Sequence, residues 1–218
     1  MKKVISFCLW GSNPRYTIGA IKNAELAEEI YPDWICRYYI GKSVPLNIID
    51  QLVLKNNTEL VIMNEEGDWR GMFWRFYPAS DDTVDVMISR DTDSRLNLRE
   101  KAAVDEWLSS DKDFHIMRDF PGHDAPIMGG MWGVRGDILR EMVKQINNYS
   151  KGDFWQVDQN FLRAVIYPQI REHAMVHDEF FEMKPFPTER PPGTDKNGEP
   201  VHFVGQVFDE NDTDSREW

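Results

Sequence analysis

Asp91-Thr92-Asp93 is the part of this 218-residue sequence whose chemistry is easiest to state. Two carboxylates one residue apart at a strand end can face one hard divalent cation, which takes carboxylate, water and phosphate oxygens as ligands. A cation held there neutralises a diphosphate leaving group as a sugar–oxygen bond breaks. Spacing alone is weak, because Asp-x-Asp recurs at Asp111/Asp113 and Asp212/Asp214, and DTDSR occurs both at 91–95 and at 212–216. Context separates the copies. The first follows the apolar run 84–89 and precedes Asn97, which with Glu100 makes a capping box. The second belongs to the acidic run 209–218 and reads as a solvated tail.

Other side chains could serve the same chemistry. Arg75 precedes the acidic pair on an aromatic-rich helix, where its planar fork could reach phosphate or sugar hydroxyls; the bland alternative is cation–π packing on Trp74 or Phe76. Arg90 and Arg95 flank the pair, where one could balance its charge. Asp158 could take the proton of an attacking hydroxyl, or be only a helix N-terminal carboxylate favoured by the dipole, with Asp153 as the cap. Of the aromatic residues Trp10, Tyr16, Trp69, Trp74, Trp132 and Trp155, each taken singly reads as core. Trp10 and Trp132, beside glycines, are the best candidates to stack on a ligand.

The elements that must position these groups can be read from periodicity. Residues 4–10, 35–40, 60–63, 84–89, 114–117, 131–134, 174–177 and 201–207 read as strands. Helices are expected over 18–30, ended by Tyr31-Pro32, and over 45–54, 68–77, 97–108, 137–149 and 154–166, the last stopped near Pro168. Residues 185–200, with Pro185, Pro187, Pro191, Pro192 and Pro200, read as a loop or lid. Alternating strands and helices imply one α/β domain over 1–218 with a mostly parallel central sheet flanked by helices. Ligands of such sheets lie at the carboxyl ends of the strands.

In order, a first strand, DWRGMFWRFYPAS, VDVMISRDTDSRL, IMGGMWGVRG and GDFWQVDQNFL resemble the GT-A class of glycosyltransferases. They are similar above all to the small nucleotide-sugar transferase domains of chloroviruses, other large DNA viruses and phages. The similarity runs over roughly residues 4–212. It implies a Rossmann-like GT-A domain that binds a UDP-sugar such as UDP-glucose with manganese or magnesium and transfers the hexose to a glycan or other hydroxyl acceptor.

By the same resemblance Leu9, Trp10 and Gly11 hold the nucleoside, with Tyr16 and Thr92 in the donor site. Asp91 and Asp93 bind the metal, Arg75 contacts the donor, and Gly129 and Gly130 pass close to the sugar. Asp158-Gln159 is similar to the Asp-Gln pair beside the donor sugar in glycogenin-like enzymes. Either His177, which ends a strand, or His202, in a segment resembling the glycogenin-like His-Phe-Leu-Gly, completes the metal shell. His177 is preferred, because His202 adjoins the proline-rich loop. His123 is a candidate to face the acceptor.

Bulk properties narrow the alternatives. With 25 Lys and Arg against 37 Asp and Glu the net charge is −12, which repels nucleic acid and anionic membrane at long range. No stretch approaches the ~18 apolar residues of a membrane span. Residues 4–10 are strand length and lack a cleavage site, so a soluble, cytoplasmic protein is expected, in the host cytoplasm if viral. Cys8 and Cys36 read as buried reduced thiols. A haloacid-dehalogenase-type phosphohydrolase would want its Asp-x-Asp on the first strand, not the fourth. A non-catalytic sugar-nucleotide-binding module is the other alternative, opposed by the intact acidic residues.

Overall fold

A computed structural model describes residues 1–149 and 152–215. In chain order the elements are β1 (Lys3–Leu9), α1 (Pro14–Ile30), β2 (Ile35–Ile40), α2 (Leu46–Val53), β3 (Thr58–Ile62), a 3-10 segment (Trp69–Ser80), β4 (Val86–Ser89) and α3 (Leu98–Ser109). There follow β5 (Phe114–Arg118), β6 (Trp132–Arg135), α4 (Met142–Asn148), α5 (Val157–Phe161), a π turn (Leu162–Ile166), α6 (Tyr167–Ile170), a short 3-10 turn (Arg171–His173) and β7 (Ala174–Asp178). The seven strands form one sheet in the order β3-β2-β1-β4-β6-β5-β7. β6 runs antiparallel to both its neighbours, and every other pairing is parallel.

The sheet is buried on both faces, as the continuous apolar runs require. Ile5, Phe7 and Leu9 of β1 point into one core with Ala20, Ala24 and Ala27 of α1 and Ile48 and Leu52 of α2. Val4, Met87, Phe114 and Trp132 point the other way, against Phe161, Leu162, Ile166 and Ile170. Trp132, a candidate for ligand stacking, is fully buried and stacked on Phe114 at 5.2 Å. It is core.

The aromatic segment 68–77 is a 3-10 helix rather than an α-helix, capped by Asp68 and running to Ser80 through Pro78. Three residues per turn place Phe73, Phe76 and Ala79 on one face, and all three enter the second core. The helix expected to stop at Pro168 instead continues to His173. Proline lacks an N–H and crowds the carbonyl four residues back, and the preceding π turn supplies the extra room. That helix begins at Val157 after Gln156, at φ 69°, with no side-chain cap, so Asp153 does not cap it. The helix expected over 137–149 starts at Met142.

No strand forms over 201–207. His202 at φ 62° and Gly205 at φ 82° break the extended backbone, and Val207 makes only an isolated bridge to Ser94. The acidic segment 209–215 is not a free tail: Asp212 pairs with Lys22 and Arg95 at 2.6 and 2.8 Å, and Arg95 also donates to the Asp209 carbonyl. The last three residues of that run, 216–218, including the Arg that closes the second DTDSR, lie outside the described residues. The proline-rich loop is tied down by buried Phe186, over which the Arg99 guanidinium lies at 4.2 Å, and by Arg190 on Asp119 and Glu179.

Candidate active site

At the carboxyl ends of β1 and β4 the structure opens a cleft of about 690 Å³. Three turns build it. The β1–α1 turn carries Trp10 and Gly11, with Tyr16 following in the first turn of α1, the turn after β4 carries Asp91, Thr92 and Asp93, and the approach to β6 carries Gly129 and Gly130. Leu9, Arg75, Asp158 and Gln159 also line it, so these sequence-nominated residues share one cavity. No residue of the loop 185–200 lines the cleft, so in this state the loop is not a lid over it.

Each wall has a local cause. Gly11, at φ 73°, turns the chain out of β1, and its N–H donates to Ser43 Oγ at 2.8 Å. Asn13 caps α1. Trp10 meets Trp74 edge-on at 6.2 Å and lies so close to Gly67 that a Cβ there would collide with the indole. Ser89 Oγ donates to the Gly129 carbonyl at 2.8 Å and the Gly129 N–H donates to Gln159 Oε1 at 2.9 Å, which fixes the glycine turn between β4 and α5. A side chain on Gly130 would strike the Asp91 carboxylate.

The charged groups interlock. The buried Arg75 guanidinium holds Asp91 through Nη1 and Asp158 Oδ2 through Nη2, the latter at 2.7 Å. Arg75 was expected to contact the donor; here its fork is committed to two carboxylates. Asp158 Oδ1 is buried without a partner among the described residues, and burial raises the Asp158 pKa, with Arg75 opposing. Arg15, which the sequence reading missed, donates through Nε to Asp93 Oδ2 at 3.1 Å. Its only signal was a guanidinium in the first turn after a strand–glycine–proline turn. Asp93 is pushed up to about 6, first by burial and then by the Asp91 charge. Cys8, also on the wall, is a buried thiol pushed up to about 12 by desolvation, and Cys36 likewise.

The histidines divide. His177 is not brought to the aspartates. It is buried on β7 with Nδ1 against His115 Nε2 at 2.8 Å and Nε2 against Glu106 at 3.2 Å, so both ring nitrogens are engaged outside the cleft. His202 borders a separate apolar depression with Leu98 and Phe203. His123 does line the cleft. Its Nδ1 accepts the Asp119 N–H at 3.2 Å.

A divalent cation fits this site on the carboxylates of Asp91 and Asp93. The Asp93 pKa is raised first by burial and second by the Asp91 charge, and a cation bound to the pair would relieve both. No group of three protein ligands occurs among the described residues. That suits a magnesium-type ion that takes one or two carboxylates and leaves the rest of its shell to phosphate and water.

No protein-family model and no curated protein matches the sequence. Solved structures do. A glycosyltransferase involved in glycosylation of the major capsid of PBCV-1 aligns at 20% identity, covering 82% of each chain, with a TM-score of 0.53. TarS residues 1–349 of S. aureus align at 10% identity over 81% of this chain and 58% of that one, TM-score 0.54, and the same fragment has been solved with UDP. The 4-diphosphocytidyl-2C-methyl-D-erythritol synthase of Anaerococcus prevotii aligns at 13% identity over 85% and 91%, TM-score 0.52. At these identities the likeness shows the fold, which is of the GT-A type. Among the described residues no helix is long and apolar enough to cross a membrane.

Proposed function

We propose that this protein is a glycosyltransferase that moves a hexose from a UDP-sugar, UDP-glucose or similar, to a hydroxyl acceptor. The observation that carries this reading is that Asp91 and Asp93 line one cleft at the carboxyl ends of β1 and β4, with the Asp91 charge helping to raise the Asp93 pKa. The GT-A-type fold and the UDP-bound TarS structure support it.

Asp91 and Asp93 would hold manganese or magnesium, which when bound supplies positive charge to the leaving diphosphate. Trp10 and Tyr16 offer flat faces for the base, and Gly11, at positive φ, lets the backbone approach it closely. Gly129 and Gly130 line the wall that the sugar would lie against, and their lack of a Cβ leaves room for Arg75, Asp158 and Asp91 beside it. Arg75 keeps Asp158 oriented through Oδ2 and leaves the buried Oδ1 without a partner among the described residues. That oxygen, on a carboxylate of raised pKa, is the one we assign to the proton of the acceptor hydroxyl.

Calorimetric titration of UDP, GDP and UDP-glucose, with and without manganese, tests the reading. Metal-dependent UDP binding that vanishes in Asp91→Ala and Asp93→Ala is the expected result. No nucleotide binding with any metal would overturn it.

A further inference from the structure

Four carboxylates line the cleft, and three of them are held by arginine: Asp91 and Asp158 by Arg75, Asp93 by Arg15. Asp124 is the exception. It is exposed and makes no hydrogen bond or ion pair among the described residues. The residue before it, His123, is the opposite case: 6% exposed, and flanked edge-on by Phe120 and Phe203 at 5.7 and 5.6 Å. Because Nδ1 accepts the Asp119 N–H, the proton of the neutral ring is on Nε2. Burial keeps the ring neutral, lowering its pKa to about 4. His123 therefore offers the cleft an N–H donor, neither a metal ligand nor a base.

The cleft wall leading into α5 is aromatic. Gln159 binds the Gly129 N–H and its amide lies 3.2 Å from Met128 Sδ, so the start of α5 packs on the loop that carries His123 and Asp124. Just before α5, Gln156 in the left-handed region turns the chain. Trp155 lines the cleft there while 55% exposed, beside Phe154 at 44%. Large aromatic side chains left in water at a cavity mouth are the informative exception to burial.

A pyranose presents an apolar C–H face and a rim of hydroxyls that both donate and accept. An exposed indole, a fixed N–H donor and an unpaired carboxylate match those three demands. An anionic acceptor would meet an uncompensated Asp124 on a chain of net charge −12. We propose that the acceptor is an uncharged carbohydrate, bound on Trp155 with its hydroxyls between His123 Nε2 and Asp124. This assignment rests on the transferase reading above.

The test separates the two. UDP with magnesium is titrated into wild type, Trp155→Ala and Asp124→Asn by calorimetry. Glucose, galactose, mannose, N-acetylglucosamine, maltose and lactose are then titrated into the UDP-saturated proteins, alongside glucuronic acid and glucose 6-phosphate. The expected result is binding of at least one neutral sugar, weakened about tenfold in both variants, with UDP affinity unchanged. Both substitutions are at exposed side chains, so folding is preserved. The proposal is overturned if wild type binds UDP but takes no neutral sugar, if the anionic sugars bind better, or if Trp155→Ala weakens UDP rather than the sugar. A wild type that binds no UDP overturns the donor reading, and the acceptor assignment with it.

Discussion

Arg75 Nη2 donates to Asp158 Oδ2 at 2.7 Å, with the two side chains only 4% and 2% exposed. The same guanidinium carries Asp91, so one arginine is the counter-ion of two carboxylates that belong to different elements. Removing one partner of a buried pair leaves the other charge uncompensated, which costs about 3–5 kcal/mol. Arg75→Met is therefore expected to lower unfolding free energy by that order. Arg75→Lys should recover little of it, because an ammonium has no planar fork to span two carboxylates. Urea denaturation of both variants checks this; a methionine variant as stable as wild type would show that the pairing does not hold the site together.

Asp93 and His177 should separate binding from stability. Asp93 faces Arg15, whose side chain is 25% exposed and so stays solvated without its partner. Asp93→Ala should leave the fold at least as stable as wild type near neutral pH, because burial and the Asp91 charge push the Asp93 carboxyl up to about 6, while abolishing metal-dependent UDP binding and turnover. His177→Ala removes a buried imidazole joined to His115 and Glu106. It should destabilise the fold and leave the metal dependence of UDP binding as it was. Full activity in Asp93→Ala, or lost metal dependence in His177→Ala, would reverse the assignments.

Local signals carried over well from sequence to fold. β2 spans the residues, 35–40, that its apolar run marks out, and Asn97 accepts the Glu100 N–H as the capping pattern requires. What failed was decided by tertiary context. The pattern over 201–207 is strand-like, yet two residues at positive φ bend it away from the sheet. Pro168 does not end its helix, because a π turn makes space for it. The pairing of Asp91 with Arg75 and of Asp93 with Arg15 joins residues 16 and 78 apart, a distance over which no periodicity reports. His177 does end a strand, but its imidazole packs against His115 and Phe186 rather than toward Asp91.

Gly130 is a steric test of the same site. A Cβ there would overlap the Asp91 carboxylate, and Asp91 can retreat only by leaving Arg75. Gly130→Ala is expected to cost at least tenfold in metal-dependent UDP affinity, about 1.4 kcal/mol, because one of two ligands is displaced. A Gly136→Ala control, where nothing lies within 4 Å but φ is 69°, should cost stability alone. Equal UDP affinity in both variants would mean that Asp91 is not held against the glycine turn.

His123 gives a pH dependence whose sign is fixed. Its folded pKa is lowered to about 4 by burial, against about 6.5 in an unfolded chain. Between those values the unfolded chain holds a proton that the folded chain refuses, so stability is present above pH ~6.5 and is lost as pH falls toward ~4, at up to about 1.4 kcal/mol per pH unit. Asp93 acts in the reverse sense. Raised to about 6, it favours the folded chain when protonated, a contribution lost as pH rises through that value. His123→Asn keeps an acceptor for the Asp119 N–H and removes the titration, leaving Asp93 common to both proteins. Urea denaturation at pH 7.5, 6 and 5 should show wild type losing stability relative to His123→Asn as pH falls. Parallel curves would mean that His123 takes up its proton in the folded protein over the same pH range as in the unfolded chain, so that burial does not hold the ring neutral at pH 5–6.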